Sequence, residues 1–473
     1  MAARQDSDKL KWNQTDEPWD EYVKQISLRS YLRKVEAFAE IVMGAPGKVI
    51  EPVILGGFHI LFPFRLDAEA SSPANVLVRL PFPSQGIIHE EKTLSEAATA
   101  RYLAQHTQLI VPKVYHYGVD PTSGIGPFQV IQDMGSRETL GCGLLPPDCN
   151  ILLLDPEISE TKLKDLYYKI ARCVLQLAQP TFPHIGAVVE TSPGSICVAG
   201  RPITFNMSNM VKLSNVPESV LPAKGTMYQT ADDWYVKLAE MQMATLLFQH
   251  NDIISSEDDC RTKYVARQLF RRLAKQGRLS SFGFSNDDWP DNILVDDNGD
   301  VLGTIDWEFA YAGPTHFTLD SPWWLLLDFP ESWENGIDDW TTTYEKRLPT
   351  WLLALEKAEN ETGNSNTPFL LSAYMRDSWA TGRFWLNYAA RKSWAFDTIY
   401  WKYLDEKFFG QREPYGGIHN TELWKTRIDL LSPEEQAAME TMVQTKVEES
   451  KERILVEWDD AEARQRLSSF LFD

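Results

Sequence analysis

The sequence predicts an α+β protein, with a small antiparallel sheet followed by a large, mainly helical body. Between residues 53 and 135 short apolar runs alternate with turn residues, whereas from 161 onward apolar residues recur at three- and four-residue steps. Inside the helical part, residues 281–314 (SFGFSNDDWPDNILVDDNGDVLGTIDWEFAYAGP) switch back to a strand-turn-strand pattern. A length of 473 residues allows about three domains or one large two-lobed enzyme, and sixteen Trp, seventeen Tyr and twenty-two Phe are ample for a core.

Charge and cysteine content exclude several classes. A formal net charge of −21 argues against nucleic acid and against an anionic membrane surface, because binding either needs clustered Lys and Arg. Any phosphate ligand would then have to be met locally, by metal ions and a few placed cations. Cys142, Cys149, Cys173, Cys197 and Cys260 are irregularly spaced without a C-x-x-C pair, as expected of thiols in a reducing compartment. No signal-peptide pattern and no apolar stretch approaching eighteen residues is found, so the cytosol is the expected location.

In chain order, the first dozen residues are rich in charge and are expected to be disordered. Tyr22, Ile26, Tyr31, Val35, Phe38 and Val42 form one helical stripe over 19–43, predicting an N-terminal helical extension (1–45) that packs on the next lobe of the chain. Two apolar runs in 53–62 are joined by Gly56 and Gly57. Glycines there can turn amide N–H groups toward phosphate oxygens, although two glycines between strands are more often only a hairpin turn. Pro63 suggests that the second strand is an edge or is bulged. Asn75–Pro81 is a strand with one basic residue, Arg79, inside it, and a helix from Thr93 to about His106 carries Glu96. Glu96 could equally be a solvated acid favoured by the helix dipole. Runs at 110–118 and 127–135 complete a five-stranded unit, 46–135.

The rest, 136–473, is expected to be helical. Leu163, Leu166, Tyr167, Ile170 and Val174 form a stripe ending before Pro180, and helices around 233–250 and 258–276 lead to the hairpin. Ile293–Val295 and Val301–Ile305 flank Asp296-Asp297-Asn298-Gly299-Asp300. Antiparallel pairing of these runs would bring Asp287 and Asn292, before the first, to the same edge as Asp306 and Glu308, after the second. Such a set of oxygens suits a hard divalent cation such as Mg²⁺ and the phosphates it accompanies. His184 and His250 are isolated and read as structural, and 433–466 reads as a solvated charged helical face.

The spacing Asp287-x-x-x-x-Asn292, followed fourteen residues later by Asp306, resembles the catalytic segment of the aminoglycoside phosphotransferase and choline kinase branch of the protein-kinase-like fold. The wording IDWEFAYAGP and SPWWLLLDFPESW is most similar to the large fungal group of that family. The resemblance covers about 50–410 and implies two lobes, an antiparallel-sheet N-lobe and a helical C-lobe. It further implies ATP or GTP with Mg²⁺ as cofactors and a small-molecule hydroxyl as acceptor. On it, Asp287 receives the hydroxyl proton, Asn292 and Asp306 hold the metal, and Glu308 reaches a metal through water. Gly56 and Gly57 approach the phosphates, Arg79 clamps them with Glu96 as its ion-pair partner, and Gln132 to Met134 form the hinge that meets adenine.

One position departs. Where the family usually has His two residues before the catalytic Asp, this chain has Ser285. That keeps a second reading open, a nucleotide-binding pseudokinase acting as scaffold or regulator. A protein kinase is the poorer match, since no activation loop or A-P-E segment follows Asp306.

By the same resemblance the acceptor lies against the helices of 374–409. There Trp379, Leu386, Ala390, Trp394 and Trp401 share one helical face, which reads foremost as a buried seam. Arg376, Asp377, Arg383, Asn387 and Arg391 fall off that face and are expected to border a pocket for a neutral or weakly charged acceptor.

Overall fold

The computed structural model describes residues 7–67, 75–120, 122, 124–135, 143–146, 153–283, 292–296, 307–362, 370–412 and 420–472, with the backbone alone for 15–17 and 292–296. It is a mixed α+β structure. Two helices lead, α1 (Lys9–Ile26) and α2 (Arg29–Met43). The Asp8 side chain accepts from the amides of Leu10 and Lys11, so the chain is helical well inside the stretch expected to be disordered: one good N-cap satisfies the orphan donors. The stripe expected to be one helix is two, broken where Leu28 turns extended, and α2 ends at Gly44 with φ +67°.

A sheet follows: β1 (Gly47–Val49), β2 (Ile54–Leu55), β3 (His59–Leu66), β4 (Asn75–Pro81), then helix α3 (His89–His106), β5 (Val114–Asp120) and β6 (Gly126–Gln132). Its order is β1-β3-β4-β6-β5, all antiparallel, with β2 sharing the β1 side of β3. Pro63 is therefore inside the sheet and not on an edge. It falls in the gap between the β1 and β2 pairings, and its carbonyl accepts from Ile50 N at 2.7 Å on that side. The missing N–H faces the same gap, where no ladder donor is called for.

The helical body comprises α4 (Glu160–Leu177), short strands β7 (Thr181–Phe182), β8 (Ala187–Ser192) and β9 (Ser195–Gly200), then α5 (Phe205–Ser214), α6 (Ala231–Phe248) and α7 (Glu257–Lys275). Next come β10 (Asn292–Asp296) and β11 (Ala310–Gly313), followed by α8 (Thr315–Thr318), α9 (Ile337–Thr362), α10 (Leu371–Thr381), α11 (Arg383–Arg391), α12 (Phe396–Ile399), α13 (Asp405–Phe409), α14 (Pro433–Glu449) and α15 (Asp460–Ser468). Strand β10 pairs along its length with β11, a partner the sequence pattern did not assign, and at its start with β7. The expected Val301–Ile305 strand and its turn lie outside the described residues.

Buried apolar residues form separate clusters. One joins α1 and α2 to the sheet, with Val35, Phe62, Val76 and Val130 fully covered. The largest fills the helical body around Trp234, Tyr264, Trp340 and Trp351. A third lies at the junction, where Ala98 and Leu103 of α3 meet Phe182, Val188, Trp307 and Ala312. The C-terminal charged run is not simply a solvated face. Met439, Met442 and Val443 of α14 enter the large core, and buried Lys446 donates to the carbonyls of Leu247 and Gln249, each at 2.8 Å.

Candidate functional site

A cleft of about 480 Å³ opens between the sheet and the junction cluster, within the range of small-molecule sites. Leu61, Leu77, Val114, Ile131 and Trp307 give it apolar walls. Its rim includes Gly56, Gly57, Arg79, Glu96, Gln132 and Met134, so all six residues expected at a nucleotide border one space.

Arg79 reaches it because β4 alternates. Val78 and Leu80 point into the sheet core, while Arg79 shares the opposite face with Leu61 of β3 and Gln129 of β6, its partners in register. Nη1 of Arg79 donates to Oε1 of Glu96, and Nη2 lies 3.0 Å from Nδ1 of His59. Gln129 Nε2 donates to the other Glu96 oxygen at 2.7 Å. Glu96 is only 3% exposed, which rules out a solvated first-turn acid. Helix α3 begins at His89, a turn earlier than expected, so Glu96 stands in its second turn and not its first.

Three more groups complete the cluster, and the sequence pattern signalled them weakly. His59, at the start of β3, lies 3.6 Å from Glu308 and 3.8 Å from Glu96. Burial, then the charges of Arg79 and Lys92, hold its pKa well below the usual imidazole range, so it is a neutral ring accepting from Arg79. Lys92 of α3, fully buried, donates to Oε2 of Glu308. Two cations, Arg79 and Lys92, thus balance two anions, Glu96 and Glu308. The carboxylate of Glu308 is held by Lys92. Gln129 carried a signal like that of Arg79, a polar residue inside an apolar strand, whereas Lys92 fell just before the helix expected from Thr93.

The glycine turn joins β2 to β3, with Gly56 N donating to His59 O at 2.8 Å. A Cβ on Gly56 would come 3.1 Å from that same oxygen, whereas one on Gly57 would meet nothing within 4 Å. Gly56 is thus explained by the turn itself, and Gly57 faces open space. At the other end of the cleft, the amide of Gln132 is committed to Lys113 O at 2.8 Å, and its side-chain oxygen accepts from Lys113 N at 3.3 Å. Asp133 and Met134 line the cleft just past the ladder.

Asp287, Ser285 and Asp306 lie outside the described residues, and of Asn292 the backbone alone is described. The flanks of their segment are fixed. Asn292 pairs with Phe182 of β7. Gly283, at φ +75°, offers its carbonyl to Arg383 Nη1 at 3.3 Å. Arg383 also donates to Asp320 Oδ1 at 3.3 Å and Tyr374 O at 2.8 Å. Asp320 accepts from Ser378 at 2.6 Å and from Asn387 at 2.7 Å, and Asn387 in turn accepts from the hydroxyl of Tyr235.

This network corrects the expected acceptor wall. Arg383 and Asn387 are 1% and 0% exposed and satisfy one another's neighbours, so they do not border an open pocket. Arg376 pairs with Glu356 at the surface, and Arg391 lies over the Phe317 ring. The continuous helical face is also interrupted, since Gly382 at φ +85° separates α10 from α11. Leu386, Ala390 and Trp401 are buried, in keeping with a seam. No helix among the described residues is long and apolar enough to cross a membrane.

No protein-family model matches the chain, and no curated protein matches it. Among solved structures it is similar to one described as a "putative aminoglycoside phosphotransferase" from Ralstonia eutropha JMP134, at 12% identity and a TM-score of 0.34, over 84% of this chain and 98% of that one.

Proposed function

We propose that the protein is a two-lobed, protein-kinase-like phosphotransferase that moves the terminal phosphoryl group of ATP or GTP to a hydroxyl of a small molecule. The observation that supports this most is the buried Arg79–Glu96 pair opening onto an apolar cleft rimmed by Gly56, Gly57 and Met134. Phosphoryl transfer leaves the protein little covalent work, so position and charge carry the chemistry.

In this reading a purine ring lies between Leu77, Ile131 and Trp307, near Met134. Arg79, aimed by Glu96, meets the phosphates. Guanidinium remains charged and forks onto two oxygens, so it holds an anion and takes no proton. The hard oxygens of Asn292 and Asp306 are the donors that suit Mg²⁺, which when bound offsets charge on the phosphates. Asp287 takes the proton of the acceptor hydroxyl as its oxygen bonds to phosphorus and the bond to the ADP or GDP oxygen breaks. Because the four charges at the cleft end cancel, the cluster adds no surplus positive field, and metal becomes the more necessary.

A thermal-shift screen with ATP, GTP and Mg²⁺, followed by metabolite mixtures assayed for ADP release, tests this. Stabilisation with turnover is expected. Stabilisation without turnover across a broad library would favour the nucleotide-binding scaffold, the reading that Ser285 keeps in view, and no stabilisation by either nucleotide would overturn both.

A further inference from the structure

Lys92 of α3 touches two other segments at one end of the cleft, the chain after the glycine turn and the start of the 307–313 segment. Its ammonium is wholly buried and donates to Glu308. It also lies 4.9 Å from the ring centroid of Phe58 and 5.0 Å from that of Phe309. Those rings meet edge-on at 5.2 Å, and Phe205 of α5 closes on both, at 5.9 and 5.5 Å. The β4–α3 connection folds over this point: a Cβ at Gly86 would be 3.5 Å from Lys92 Nζ and 3.6 Å from Phe58.

The positions of these contacts along the chain give them meaning. Phe58 directly follows Gly56-Gly57. Glu308 and Phe309 come two and three residues after Asp306. Lys92 stands one helical turn before Glu96, on the same face of α3. A desolvated ammonium is attracted strongly by a carboxylate and by ring faces, and each contact gains from the exclusion of water. One cation thereby draws together the glycine turn, the helix that aims Arg79, and the chain just past Asp306.

We propose that Lys92 is a positioning residue for the phosphate end of the cleft, holding the Phe58 wall and the Glu308–Phe309 wall at the spacing that the nucleotide phosphates require. This rests on the phosphotransferase reading and adds a residue to it that need not touch the nucleotide. Lys92 sets where the walls stand, while Arg79 supplies the contact.

The test is calorimetric titration of the full chain with ADP and with adenosine, both in the presence of magnesium, alongside melting temperatures. The variants are Lys92→Met, Lys92→Met/Glu308→Gln and Phe58→Ala. Lys92→Met is expected to lower the melting temperature and to weaken ADP by about tenfold or more, since small misplacements of a binding group are costly. The double variant removes the unpaired carboxylate and should regain most of the melting temperature without regaining ADP affinity. Adenosine affinity should stay within about twofold throughout, because the ring end of the cleft is untouched. Phe58→Ala should weaken ADP in the same direction and decides the matter if Lys92→Met does not fold. Recovery of ADP affinity together with stability in the double variant would make the pair merely structural and overturn the proposal, as would ADP affinity unchanged in all variants. A wild type that binds neither ligand would instead overturn the nucleotide reading itself.

Discussion

Arg383 donates to the carbonyl of Gly283 at 3.3 Å across a separation of 100 residues, and so fastens helix α11 to the chain two residues before Ser285. The same guanidinium is ion-paired with Asp320, both almost fully buried. Burial pushes the Asp320 carboxyl up, and Arg383 is foremost among the groups that draw it back.

Arg383→Met should therefore destabilise the fold by roughly 3–5 kcal/mol, the cost of leaving one member of a buried pair unpaired. Arg383→Met/Asp320→Asn should recover a good part of it. Urea denaturation checks both. A single variant as stable as wild type would show that the pair does not hold this region.

Acid should weaken the fold through its buried histidines. His316, 6% exposed, is lowered to about 4 by burial and by the charge of Arg383, and His59 is lowered as well. The unfolded imidazole binds its proton near pH 6.5 and the folded one only near 4, so below 6.5 the unfolded chain holds more protons. The histidine contribution is thus full above about 6.5 and is lost between there and 4, His316 alone accounting for on the order of 3 kcal/mol at the lower limit. Denaturation at pH 8, 6 and 5 measures the slope, and His316→Gln should flatten it. A stability constant from pH 8 to 5 would contradict the assignment.

Metal binding and proton transfer should separate by mutation. Asp306→Asn is expected to weaken magnesium-dependent nucleotide binding, while Asp287→Asn leaves binding nearly intact and lowers kcat by about a hundredfold or more. Titration with and without magnesium, together with turnover, distinguishes them. Equal loss of affinity in both variants would undo the division of roles.

Ser285→His should keep or raise turnover if the Asp287 segment already has the family geometry. An inactive wild type that gains activity on this change would mark a degenerate kinase, and loss of fold would show that the position is not equivalent to the family's His. ADP release and a melting curve on the same preparation suffice.

Legibility followed the range over which a signal acts. Strand β4 was readable to the residue because alternation and Pro81 bound it, and Arg79 stood out as one charge among Val and Leu. Glu96 followed from chain order. The Lys92–Glu308 pair spans 216 residues and has no local pattern, so it could not be read. Arg383 and Asn387 were misplaced for a related reason: a buried polar group with good partners looks, in sequence, the same as one facing solvent. The break at Gly382 was visible in the letters, but an apolar period that continues beyond it masked the change of direction. Of the candidate site, Arg79 and Glu96 were legible from their own strand and helix, whereas Asp287 and Asp306 rest on the spacing of their segment.

Helix α1 has a mechanical consequence. Its first turn is moored to the helical body, where Asp8 N donates to Leu213 O at 2.8 Å and Asn251 donates to the Asp8 carboxylate at 2.8 Å. Farther along, Trp19 stacks on Phe82 at 3.8 Å, just beyond β4. The stretch from Asp8 to Trp19, about 16 Å of helix at 1.5 Å per residue, thus bridges the two sides of the cleft. Any widening of the cleft must slide Trp19 off Phe82 or pull Asp8 from its mooring, so the N-terminus acts as a tether whose slack limits how far the molecule can gape.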